Sequence, residues 1–258
     1  MTRPEPLPGP VDPFDEVESY RMPLLDHLRE LRRRLLLSAG ALVLGMLVSL
    51  AFVDEMYAWL TRPFAQALAD AGVAGGLSIV NSPFEGVYTW LLVAFGGAVV
   101  MSLPVIALQG WLFVAPGLYQ TERRMVVPLA VGSTALFLGG GLFAYYVIFP
   151  YAFPFFLGVV DAQANLSLQG YLSAVVRMMV AFGACFQLPI VTVFAARLGL
   201  IDHRDMIWAF RYAVVAIFVV AAIITPPDVL TQTLLALPLI VLYIGSIGLA
   251  RLFTTKVR

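Results

Sequence analysis

Six apolar runs, continuous rather than alternating, restrict what this chain can fold into more than any other feature. They cover about 35–53, 87–108, 125–149, 171–195, 211–224 and 232–250. Continuous runs favour helices over a transmembrane barrel, whose strands alternate in polarity. A hydrocarbon core of roughly 30 Å needs about 20 helical residues. The fifth run is short, because some 14 residues at about 1.5 Å each reach only about 21 Å. Either its helix extends back through 206–210 with Arg211 snorkelling to the interface, or the bilayer thins locally. The 258 residues are 60% hydrophobic and 12% charged, where a soluble domain carries about 25% charged residues. With a mean hydropathy of +0.89, this is an all-α integral membrane protein of six spans.

The cationic residues orient it. Arg3, Arg21, Arg29, Arg32, Arg33, Arg34, Arg123, Arg124, Arg197, Arg204, Arg211, Arg251, Lys256 and Arg258 would all lie on one side of a six-span path. Only Arg62 falls in an opposite-side loop, and Arg177 begins the fourth span. This asymmetry predicts that both termini and the 109–124 and 196–210 loops are cytoplasmic. Residues 1–21 are acidic and proline-rich, which predicts a disordered tail rather than a cleaved secretory signal. The membrane domain then covers 22–250, and 251–258 form a short basic tail.

Zero net charge implies no attraction to nucleic acid. A lone cysteine, Cys185, excludes an internal disulfide, and two distant histidines, His27 and His203, argue against a metal site or a metal cofactor. In the outer loop, Met56-Tyr57-Ala58-Trp59-Leu60 and Pro63-Phe64 mix aromatic and polar residues, which predicts a helix along the interface. Residues 150–170 should hug the membrane as well. Pro104, Pro128, Pro189 and Pro238 each remove a backbone donor within a span. Kinks at these points predict a bent bundle with a concave face toward lipid.

Few residues are placed to carry chemistry. Glu30 stands at the mouth of the first span, in Asp26-His27-Leu28-Arg29-Glu30-Leu31-Arg32-Arg33-Arg34. It reads either as a solvated partner of Arg33 or Arg34 on its own helix, or as an acceptor for an incoming cation. Glu122 is the acid of the cytoplasmic loop between spans two and three. Opposing the dipole of the third helix explains it, and so does a second cation acceptor beside Glu30. Gln187, two residues before Pro189, either satisfies carbonyls freed by the proline or contacts another membrane helix. Asp228, in Thr225-Pro226-Pro227-Asp228, suits a cap on the sixth helix.

The motifs together resemble one family. They are His27-Leu28-Arg29-Glu30-Leu31-Arg32-Arg33-Arg34, the Pro63 region, Asn81-Ser82-Pro83-Phe84-Glu85 and Leu103-Pro104-Val105. They continue with 109–119 (Gln109-Gly110-Trp111-Leu112-Phe113 and onward), Glu122-Arg123-Arg124, Phe149-Pro150-Tyr151, Ala181-Phe182-Gly183 and Thr225-Pro226-Pro227-Asp228. In this order across residues 22–250 they resemble the TatC family, the multispanning subunit of the twin-arginine protein translocase. The resemblance implies a kinked, cupped six-helix protein of a prokaryotic inner membrane, and not an enzyme. It implies binding of twin-arginine signal peptides, TatA- and TatB-type single-span partners, self-association, and export of folded proteins driven by the proton motive force. By motif, Glu30 and Glu122 would receive the arginine pair, with Gln109, Phe113 and Arg32 in the same cytoplasmic site. Gln187 and Pro189 would contact a partner helix, while Pro63 and Asp228 match outer-side positions. Family members commonly carry glutamate where this chain has Gln187, so docking by hydrogen bonding is expected here without titration.

Two other classes compete with this reading. A small-solute secondary transporter would want ionisable groups near mid-membrane, where the sequence offers only Gln187, with Arg177 near a span end. An intramembrane protease would want Ser and His buried together or a pair of acids within spans, and neither is present in the runs.

Overall fold

The computed structural model describes residues 24–70, 83–114, 125–151, 168–224 and 229–254, and every regular element in them is helical. The tail 1–21, the loop carrying Glu122, and Asp228 lie outside the described residues. In chain order the helices are α1 (Leu24–Ala51), α2 (Val53–Asp70), α3 (Pro83–Val114) and α4 (Val126–Phe143). A π-helical turn (Ala144–Ile148) extends α4, and α5 (Leu168–Cys185), α6 (Leu188–Arg197), α7 (His203–Ile224) and α8 (Val229–Thr254) follow. Five helical segments are long and apolar enough to cross a membrane: Asp26–Ala51, Phe84–Val114, Val126–Tyr151, Leu168–Arg197 and His203–Ile223. The shorter apolar stretch Leu235–Arg251 lies within α8.

The fifth run resolves in favour of extension. α7 starts eight residues before Arg211, and the exposed Arg211 guanidinium stacks over Trp208 and Tyr212 at 5.2 and 5.0 Å from their ring centres. Those aromatic faces stabilise a cation that would otherwise stand alone on a long apolar helix.

Packing centres on α3, which meets α1, α2, α4 and α5. Small residues set the closest approaches, as expected where lipid supplies no hydrophobic drive for helix association. On α1, a Cβ at Gly45 would fall 2.8 Å from the Ala98 carbonyl oxygen of α3. On α4, a Cβ at Gly140 would meet the Phe182 carbonyl of α5 at 2.7 Å. Phe64, Val93, Leu172, Phe182 and Leu235 fill the core between these crossings. The outward faces remain apolar: Leu44 is 65% and Ile223 78% exposed, a surface only lipid can cover.

Helix α2 forms where an interfacial helix is expected, and it packs Val53, Leu60 and Phe64 into the core against α3 and α5. Pro63 lies inside it and has no N–H for the carbonyl of Trp59 four residues back. Tyr145 compensates, donating its hydroxyl to the Trp59 carbonyl at 2.6 Å, and Tyr171 donates to the next carbonyl, Leu60, at 3.0 Å. The π-helical turn places Tyr145 inward and Tyr146 outward, where Trp59 Nε1 donates to the Tyr146 hydroxyl at 3.3 Å.

Not every proline bends its helix. Pro128 occupies the first turn of α4, where no intrahelical donor is needed, so the expected kink is absent. The irregularity of this span is the π-helical turn, which contains no proline. Pro189 behaves differently, because the fourth span breaks at Phe186-Gln187 and restarts with Pro189 in the first turn of α6. Elsewhere in the bundle, α2, α3, α4 and α5 enclose an apolar cleft of about 310 Å³ lined by Met56, Trp59, Gly97, Phe137 and Met179.

Tyr145→Phe leaves the Trp59 carbonyl without its donor and should cost about 1–3 kcal/mol. Thermal unfolding of the purified protein in detergent measures this directly. Gly140→Val should cost about as much through overpacking against the Phe182 backbone, read by the same melt.

Candidate functional site

Helix α1 does not begin with its apolar run. It starts at Leu24, so the charged segment 26–34 is a helical extension of the span. The Gly45–Ala98 crossing then lays this extension beside the last turns of α3. Three of the expected site residues meet there: Glu30 of α1 and Gln109 and Phe113 of α3.

Glu30 and Arg34 are four apart, with the acid N-terminal, the favourable order on a helix. Arg34 holds Glu30 Oε1 with two donors, Nε at 3.0 Å and Nη2 in closer contact. Its remaining arm, Nη1, donates to Gln109 Oε1 at 3.3 Å. Both side chains are about four-fifths shielded, at 19% and 20% exposure, so the pair is stronger than a solvated surface pair. The second carboxylate oxygen, Glu30 Oε2, is buried and accepts no hydrogen bond among the described residues. Glu30, Arg33, Arg34, Leu37, Gln109 and Leu112 line a cleft of about 310 Å³.

Aromatic contacts fix the end of α3 around it. His27 stacks on Phe113 with ring centres 4.4 Å apart and planes 24° from parallel. Trp111 donates to Ser133 Oγ on α4 at 2.8 Å and meets Phe194 of α6 edge-on. Arg32 is exposed on the opposite side of α1 from Arg34 and has no ion pair among the described residues.

The structure places Glu30 in a pair with Arg34 on its own helix, with Oε2 lacking a donor among the described residues. Arg34 and His27 were not singled out from the sequence as site residues. The spacing of four from Glu30 pointed to Arg34, whereas nothing local pointed to the stacking of His27 on Phe113, 86 positions away in the chain.

Gln187 lies at the break between α5 and α6. Its Nε2 donates to the Ser133 carbonyl of α4 at 2.9 Å and to Gly183 four residues back at 3.4 Å. The second bond serves the break itself, and the first ties it to a neighbouring helix. Pro189 is half-buried beside it. At the end of the bundle where α6 meets α7 and α8, His203 Nδ1 and Asp202 Oδ1 are 2.5 Å apart. Among the described residues no group of three His, Cys, Asp or Glu side chains is gathered that would hold a metal ion.

Comparison with known proteins follows the same residues. Positions 26–238 match the model of the family described as Sec-independent protein translocase protein (TatC). The Sec-independent protein translocase protein TatC of Magnetococcus marinus is 37% identical over 233 residues, covering 90% of this chain and 84% of the relative. That of Escherichia coli K12 is 36% identical over 238 residues, covering 92% and 91%. The crystal structure of a twin-arginine translocase receptor, TatC, superimposes with a TM-score of 0.79 at 37% identity, over 88% of this chain and 99% of the other. With its helical order, its α1–α3 cleft and these similarities over nearly its whole length, the chain belongs to the TatC family of Sec-independent protein translocases.

Proposed function

We propose that the Glu30 cleft receives the arginine pair of a twin-arginine signal peptide on the cytoplasmic face of the membrane. As a TatC-family protein, the chain is a core subunit of the twin-arginine translocase, a transport component and not an enzyme. The observation that carries the site assignment is Glu30 Oε2, shielded and without a donor among the described residues while Arg34 holds Oε1 in place. A carboxylate fixed in this way is preorganised for a guanidinium, which brings its own planar fork of donors.

Gln109 orients Arg34, Leu37 and Leu112 supply the apolar wall, and Phe113, stacked on His27, stands one turn from Gln109. Arg33 and Arg34 line the cleft with positive charge, and Arg32 adds to it from the far side of α1, so a cationic peptide gains only if it reaches the carboxylate. Glu122, in the loop between the ends of α3 and α4, supplies the second acceptor on this reading. Trp111 and Ser133 tie α3 to α4, the two helices that flank Glu122 in the chain.

The topology proposed with this is six spans with both termini cytoplasmic. α8, 26 residues and about 39 Å long, would be the sixth. The ends of α6, α7 and α8 that meet through Ala196, Met206 and Ala250 carry Arg197, Arg204 and Arg251, in line with the cationic bias expected of the cytoplasmic side. TatA- and TatB-type single-span partners would dock by hydrogen bonding at Gln187 beside Pro189, because its Oε1 has no donor among the described residues. Pro63, within the tyrosine-braced α2, and Asp228 would belong to the outer side. Export of folded cargo would draw on the proton motive force.

Glu30→Ala should lower photocrosslinking of an arginine-pair signal peptide about 10-fold or more, the equivalent of one charge-assisted hydrogen bond. Unchanged crosslinking in the Glu30→Ala, Glu122→Ala double variant removes both residues from the site. A folded reporter should be exported with an Arg-Arg signal and poorly with a Lys-Lys signal, and equal export of both defeats the assignment. Gln187→Leu should reduce co-purification of a single-span partner, whereas full recovery assigns Gln187 to the helix break alone.

A further inference from the structure

A second cleft adjoins the first on α1 and has the opposite charge preference. Arg29, Arg32, Arg33, Leu36 and Leu37 line it, enclosing about 460 Å³. These positions follow the i, i+3, i+4, i+7, i+8 spacing of one helical face, so three guanidiniums sit directly above two leucines. Leu36 is 63% exposed and opens toward the lipid-facing side of the span. Arg32 and Arg33 have no ion pair among the described residues, and Arg29 meets only the exposed Asp26, at 3.0 Å. Arg33 and Leu37 are shared with the Glu30 cleft, yet among the described residues no carboxylate lines this one.

We propose that this face binds an anionic phospholipid, its phosphate among Arg29, Arg32 and Arg33 and its acyl chain along Leu36 and Leu37. Charge complementarity selects the headgroup. Arginine forks match phosphate oxygens, and two of the three guanidiniums have no competing ion-pair partner among the described residues. The leucines select a lipid over free phosphate, because an anion without an acyl tail leaves them uncovered. Basic residues immediately flanking a span hold acidic lipid in the same manner. The site goes beyond signal-peptide recognition, since it takes an anion on a face that shares only Arg33 and Leu37 with the carboxylate cleft. A lipid seated there would neutralise Arg33 and so soften the positive rim that the Glu30 cleft presents.

Native mass spectrometry of the full chain in neutral detergent, titrated with phosphatidylglycerol or phosphatidylcholine, tests this without any signal peptide. The expected result is retention of phosphatidylglycerol about tenfold above phosphatidylcholine. Arg29→Gln with Arg33→Gln should abolish that preference, Arg29→Lys with Arg33→Lys should keep most of it, and Arg177→Gln should leave it intact. Both altered side chains are exposed, and a melt that matches the parent protein shows that each variant is folded. Equal retention of the two lipids, an undiminished preference in the glutamine variant, or displacement of phosphatidylglycerol by millimolar inorganic phosphate would overturn the proposal.

Discussion

The close crossing of α1 and α3 underlies the rest of the structure. Gly45 lets the α1 backbone touch the Ala98 carbonyl, and a side chain there would force the helices apart. Everything distinctive at the charged end depends on that separation. Arg34 can reach Gln109, and His27 can cover Phe113, only because their helices converge. In a bilayer, where lipid tails are as apolar as leucine, such contact is won by fit rather than by expulsion of water.

A second constraint shapes the rest of the bundle. Backbone polar groups in a membrane need partners within the protein. Proline in α2 and the break before α6 both create carbonyls without their usual donors. Tyr145 and Tyr171 answer the first, and Gln187 answers the second. These side chains also join separate helices, so repair of local hydrogen bonding doubles as tertiary structure.

The charged end of α1 shows how one helical face can serve two electrostatic tasks. Glu30 and Arg34 fall on the stripe turned toward α3, where α3 shields them. Arg29, Arg32 and Arg33 fall on the neighbouring stripe and stay exposed. A rotation of about 100° per residue separates an acceptor for cations from an acceptor for anions within two turns.

Much was legible in the sequence because it was local or additive. Apolar runs of sufficient length report helices in lipid whatever their neighbours do, and the distribution of arginines carries the topological expectation. The pairing of Glu30 with Arg34 follows from a spacing of four. What the chain alone did not reveal depends on contacts distant in sequence. Pro128 reads as a kink until its place in the first turn of α4 is known, and the π-helical turn at Ala144–Ile148 has no proline to announce it. The open Oε2 of Glu30, the bracing of Phe113 by His27 and the tyrosine donors to α2 were decided only by the tertiary structure. Hydrophobicity and charge act residue by residue and survive in one dimension, whereas the direction of a side chain's last hydrogen bond exists only once the helices have packed.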